Sequence, residues 1–135
     1  MNFLFDNNLP PAYAKSFAAL SQSEWGTAHH IIHLKDKFPQ NTKDEVWINT
    51  LSSEKNWVVI THDLLNKGLE REVLRQADLI VFMLDKSWGH HKFWDNAYQL
   101  TRWWPAIVQQ AERISGGVAF KVAWNFRGKG KFKAI

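Results

Sequence analysis

The chain has 135 residues, of which 45% are apolar and 22% charged, a usage that excludes a disordered chain and fits one domain around one core. It contains no Cys, which excludes a disulfide framework, a thiolate zinc site and a cysteine nucleophile. The net charge is +4, but residues 118–135 carry Lys121, Arg127, Lys129, Lys131 and Lys133 with no acid, so the rest of the chain is slightly acidic. A basic segment on an acidic body points to a polyanionic partner. The 8 Trp exceed ordinary usage and are read chiefly as packing.

The first predicted element is a short strand, Phe3 to Phe5, ending at Asp6. It has no basic flank, so no signal peptide is expected. Pro10-Pro11 then opens a helix with Tyr13, Phe17 and Leu20 on one face. Ile31, Ile32 and Leu34 predict a second strand, and Pro39 and Asn41 break the chain before a helix over Lys43 to Lys55. The run WVVIT, Trp57 to Thr61, is a β-branched strand. A helix over Leu65 to Ala77 follows, and Leu79 to Leu84 (LIVFML) has the all-apolar character of a strand covered on both faces.

The longest predicted helix runs from Phe93 to Ile114, with Phe93, Ala97, Leu100, Trp104, Ile107, Ala111 and Ile114 on one stripe. Pro105 is expected to kink or split it. Val118 to Phe126 is the last predicted strand, and 127–135 is a Gly- and Lys-rich basic tail outside a 1–126 domain. Alternating strands and helices predict an α/β three-layer sandwich with a mainly parallel, five-stranded sheet. No apolar run approaches the roughly 18 residues of a membrane span, so a soluble, cytoplasmic protein is expected.

Ligands of open α/β sheets gather beyond the carboxyl ends of the strands. Asp6 follows the first strand, and Asp63 follows WVVIT by one residue. Asp44 lies in the first turn of the helix before WVVIT and shares a face with Trp47, Ile48 and Leu51. Converging carboxylates repel one another unless a cation sits among them, and oxygen donors without Cys favour Mg²⁺ or Mn²⁺. Such a site suits phosphodiester cleavage. Each acid also has a structural role open to it: Asp44 at the positive end of its helix, Asp63 as a helix cap, Asp6 in a turn with Asn7 and Asn8. Thr42 and Glu45 fit a capping box.

Several segments together resemble the PIN-like nucleases, most closely the VapC45-type branch of the VapC toxins. They are FDNNLP at 5–10, HLKDKFPQNTKDEVWI at 33–48, WVVITHD at 57–63, VFML with Trp88 at 81–88, and RWWPAIV at 102–108. The resemblance implies a PIN-like fold and an Mg²⁺- or Mn²⁺-dependent ribonuclease with Asp6, Asp44 and Asp63 as its acids. It also implies supporting roles for Thr61 and Asn8, and an antitoxin protein that holds the toxin inactive. Leu65 departs from the pattern, standing where related chains often carry a further acid. By position Asp85, just past LIVFML, is the candidate to replace it as a metal ligand, with Asp95 behind.

Other groupings compete for attention. His29 with His33, and His90 with His91, are two histidine pairs, but zinc needs three or four ligands to converge. His62 is either a phosphate contact or an exposed loop residue. Trp103 and Trp104 are adjacent on one helix, so one of them is expected at an interface, which leaves room for a homodimer. Arg71 and Arg75 lie one turn apart and either grip phosphate or form a solvated face with Glu70 and Glu72. In the tail, Arg127, Lys129 and Lys131 interleave with Trp124, Phe126 and Phe132, either as an RNA-binding strip or as a frayed end. Two other functions are weighed: a PIN-fold module that binds RNA or protein without catalysis, and a receiver-type phosphoacceptor domain. The receiver type needs an acidic pair after the first strand, where this chain has Asn7-Asn8.

Overall fold

The computed structural model describes residues 1–62, 74 and 76–135. Strand β1 (Asn2–Phe5) leads through helix α1 (Pro11–Trp25) to β2 (His30–His33). A one-turn helix α2 (Leu34–Lys37) and helix α3 (Asp44–Glu54) then lead to β3 (Trp57–His62). Beyond it come β4 (Ile80–Leu84), a 3-10 turn (Lys86–His90), helix α4 (Phe93–Glu112), β5 (Val118–Val122) and β6 (Lys133–Ala134). The strands form one sheet in the order β2-β1-β3-β4-β5-β6. All neighbours pair in parallel except β6, which runs antiparallel to β5.

The sheet is therefore six-stranded rather than five. The extra strand is the end of the basic tail, which returns to the sheet edge, and β5 stops at Val122, short of the expected Phe126. The expected helix over Leu65 to Ala77 lies mostly outside the described residues; Leu74 and Gln76 are helical.

Alternation along the strands divides the core in two. Phe3, Phe5, Val58, Ile60, Phe82, Leu84, Phe120 and Val122 face α1 and α4. Leu4, Val59, Val81 and Ala119 face α3, against Trp47, Ile48 and Leu51. All five residues of β4 are buried, as a strand covered on both faces requires. On α1, Tyr13 and Phe17 are buried as expected, but Leu20 is exposed and Ser21 takes the inward position. There the Ser21 hydroxyl accepts the Trp104 indole N–H at 2.9 Å. The helix has turned by one residue to satisfy a buried donor.

Trp103 and Trp104 both point inward, contrary to expectation. Trp104 packs on Phe3, Phe5 and Phe17. Trp103 lies between the Phe126 and Phe132 rings, at 4.9 and 5.2 Å. The C-terminal segment supplies a second wall, so adjacent rings on one helix are both covered. Pro105 leaves α4 continuous from Phe93 to Glu112. The Thr42–Glu45 capping box does not form. The Thr42 hydroxyl bonds Pro39 O at 2.6 Å, and Lys43 takes the cap position of α3 without a side-chain bond.

Candidate functional site

The strand order reverses around β1. Its sequence neighbour β2 lies on one side and β3 on the other. The crevice beyond the carboxyl ends of β1 and β3 is thus the switch point at which open α/β sheets bind ligands. Phe5 pairs with Ile60, so the next residues, Asp6 and Thr61, meet on the α3 side of that crevice.

Asp6 is 8% exposed, and a carboxylate so buried is costly unless hydrogen-bonded. The Thr61 hydroxyl donates to Oδ2 at 2.9 Å and the Asn7 N–H to Oδ1 at 2.6 Å. Asn8 fixes the arrangement from above. Its Nδ2 donates to Thr61 Oγ1 at 3.3 Å and to His62 O at 3.2 Å, and its Oδ1 accepts the His62 N–H at 3.3 Å. The turn that carries these residues closes through Leu9 N–H to Asp6 O at 3.0 Å.

His33 is one contributor that sequence reasoning misjudged. It is 1% exposed, and its Nδ1 accepts the Lys35 N–H at 3.1 Å. The proton is thereby left on Nε2, which donates to Leu9 O at 2.8 Å. His33 also forms a capping box with Asp36 at the start of α2. It is a brace between β2 and the Asp6 turn. His29 is remote from it, lying before the start of β2 against Phe3 and Trp25, beside the N-terminal ammonium and Glu112. His91 lies flat on Trp124. Among the described residues, no three His, Asp or Glu side chains form a metal-binding group.

Asp44 occupies the first turn of α3, exposed, with Oδ1 accepting the Trp47 indole N–H at 3.0 Å. Only Lys55 and Asn56 separate α3 from β3. The helix therefore runs back along the strand and directs its N-terminal turn toward the edge that bears Asp6. Asp63 lies outside the described residues, as do Leu65, Arg71 and Arg75. Asp85 sits at the same edge, after β4, but it caps the 3-10 turn. Its Oδ1 accepts from the Ser87 N–H at 2.9 Å and also from the Ser87 hydroxyl. Asp95 is exposed in the first turn of α4.

A cleft of about 280 Å³ opens beside this edge, lined by Asn8, Tyr13, His62, Trp88, His91 and Phe93 among others. Two of its lining residues, Asn8 and His62, belong to the Asp6 network. Residues 1–86 match the family model of the PIN like domain. The chain belongs to the PIN-like family. PIN-like domains are commonly nucleases, and in this one the match spans β1 through β4, the strands that build the acidic edge. No curated protein and no solved structure matches the chain.

The basic segment divides by side-chain type. Phe126 and Phe132 pack on the core, and Trp124 donates its indole N–H to Asn96 Oδ1 at 2.9 Å. These rings are not a free stacking platform. Arg127, Lys129, Lys131 and Lys133 are exposed. Gly130 makes this possible, because a Cβ there would meet Phe126 at 3.0 Å and Trp103 and Ala106 at 3.2 Å. Of the 8 Trp only Trp94 is exposed, so the surplus is chiefly packing. Among the described residues no helix is long and apolar enough to cross a membrane.

Proposed function

We propose that this PIN-like domain is a metal-dependent endoribonuclease of the VapC45-type toxin branch, working in the cytoplasm and held in check by an antitoxin. The observation that carries the proposal is the buried Asp6 carboxylate at the sheet's switch point, locked by Thr61 and Asn8. Its donors are a carboxylate, a hydroxyl and an amide, hard oxygens that fit Mg²⁺ or Mn²⁺ rather than a soft metal. Asp6, Asp44 and Asp63 would hold the ion. Bound there, Mg²⁺ or Mn²⁺ supplies positive charge against the phosphate and lowers the pKa of water.

The chain's own residues prepare that chemistry. Thr61 fixes one oxygen of Asp6 and Asn7 the other, so the carboxylate keeps one orientation. Asn8 holds the ends of β1 and β3 together. Asp85 is engaged as a cap and Leu65 carries no charge, so the proposal rests on three acids. Arg127, Lys129 and Lys131, with Arg71, would attract the RNA backbone without reading its sequence. Trp94 and Tyr98, exposed one turn apart on α4, offer the antitoxin an aromatic surface.

The test is RNA cleavage and growth arrest on expression. Asp6→Asn should keep the fold and slow cleavage by about 10²-fold or more, the scale on which a preorganised charge acts at a reacting group. It should also relieve growth arrest. An Asp6→Asn protein that cleaves at the wild-type rate would sink the proposal.

A further inference from the structure

We propose that the cleft beside the Asp6 edge is a nucleobase subsite, which takes one unpaired base of a single-stranded RNA whose phosphate lies over Asp6 and Thr61. The inference rests on the ribonuclease reading and adds the feature of the substrate that the protein recognises.

Strand alternation sets the geometry. Thr61 faces the α3 side and bonds Asp6, whereas His62, the next residue, faces the opposite side and lines the cleft. The two positions are consecutive at the end of β3, so the cleft adjoins the Asp6 edge. Asn8 ties them together, bonding Thr61 Oγ1 and both backbone polar groups of His62.

Rings form the walls, and two of them, Tyr13 and Trp88, have their polar ends already engaged. Tyr13 packs on Phe93 with ring centroids 5.1 Å apart, and its hydroxyl donates to Phe93 O at 2.7 Å. The Trp88 indole N–H donates to Val122 O at 3.0 Å. His91 lies on Trp124 at 3.7 Å and 10°, so the cleft already contains half of a stack. Asn96, a further lining residue, holds the loop by donating to Trp88 O and His91 O. A preformed aromatic slot suits the face of a base.

Size and charge narrow the occupant. At about 280 Å³ the cleft is near the lower end of ligand sites, roughly 300 Å³, and it takes one ring system rather than a duplex. No Lys or Arg is among the described residues that line it, so the phosphate belongs outside, at the acidic edge with its cation.

Gly89 gives a handle, since a Cβ there would meet the His62 ring at 3.4 Å, an ordinary contact. The probe is a set of short single-stranded RNAs carrying 2-aminopurine at each position in turn, bound to Asp6→Asn protein to prevent turnover. One position should change its fluorescence on binding. Gly89→Leu should abolish that change and weaken binding about tenfold, the scale of one base stack. Phe93→Ala, at a partly exposed ring, should do the same, with thermal melts certifying that both variants are folded. If no position responds, or if both folded variants respond like the parent, the subsite is wrong.

In cleavage of a randomised single-stranded RNA, the same substitutions in the wild-type background should flatten a base preference beside the cut while cutting continues. Wild-type cutting with no flanking preference overturns the subsite and leaves the nuclease standing. A wild type that never cuts defeats the nuclease instead, and the fluorescence response alone then decides the subsite.

Discussion

The acidic edge and the basic C-terminal segment both stand out in the sequence as charge, and the fold treats them in opposite ways. At the edge, charge is drawn in: Asp6 is buried and held by Thr61 and Asn7. In the segment after Val122, charge is turned out and the rings between the cations are drawn in, with Phe132 on Phe82 and Trp103. A buried carboxylate persists only where its oxygens are hydrogen-bonded. An interleaved run of Lys and Phe needs only a sheet edge to sort its two kinds of side chain. The first pattern is the one the proposed chemistry needs; the second is mostly architecture with a charged exterior.

If that contrast is right, substitution should separate stability from activity differently in the two regions. The largest stability effect belongs to the tail's ring contacts. Trp103→Ala should cost about 3–5 kcal/mol, as large-to-small core changes do, in denaturant unfolding, and Phe132→Ala, at a partly buried ring, less. A loss near zero would show that the segment does not close the core.

Thr61→Val comes next, removing the hydroxyl that satisfies a buried carboxylate oxygen. A loss of about 1–3 kcal/mol is expected, together with reduced cleavage. Unchanged melting and unchanged activity would mean that Asp6 does not depend on Thr61.

The exposed cations should behave in the reverse sense. Arg127→Ala, Lys129→Ala and Lys131→Ala combined should change stability within about 0.5 kcal/mol each. The slope of log affinity for RNA against log salt should fall by about one for each phosphate that is no longer neutralised. An unchanged slope would remove the segment from the RNA path.

The smallest effect is a pH dependence at His29. Burial holds its pKa below the usual histidine value, reinforced by the N-terminal ammonium and opposed by Glu112. The unfolded chain therefore binds this proton more readily than the folded one. The contribution is fully present above about pH 6.5 and is lost as pH falls through that value toward the folded pKa. His29→Gln should flatten this part of the stability profile in melts between pH 5 and pH 8, and a profile unaltered by the substitution would assign the dependence elsewhere.

Much of the architecture was legible because hydrophobic periodicity is local. NFLF, WVVIT and LIVFML each became strands, and the strand-end rule led to Asp6 at the switch point, whereas Thr61 and Asn8 came only with the PIN-like resemblance. What escaped depended on partners distant in sequence. Trp103 could not be seen as core without Phe126 and Phe132 returning over it. Likewise the bracing role of His33 was not legible, because its acceptor, Leu9 O, lies 24 residues away. Thr42 and Glu45 had the letters of a capping box, yet the Thr42 hydroxyl found Pro39 O first.

The central claim is that the Asp6 edge cuts RNA with a divalent ion. Its most direct test is cleavage of single-stranded RNA by purified protein in EDTA, followed by readdition of Mn²⁺ or Mg²⁺. No cutting is expected in EDTA, with recovery on adding the ion in the wild type and none in Asp6→Asn. Cutting that continues undiminished in EDTA would contradict the claim.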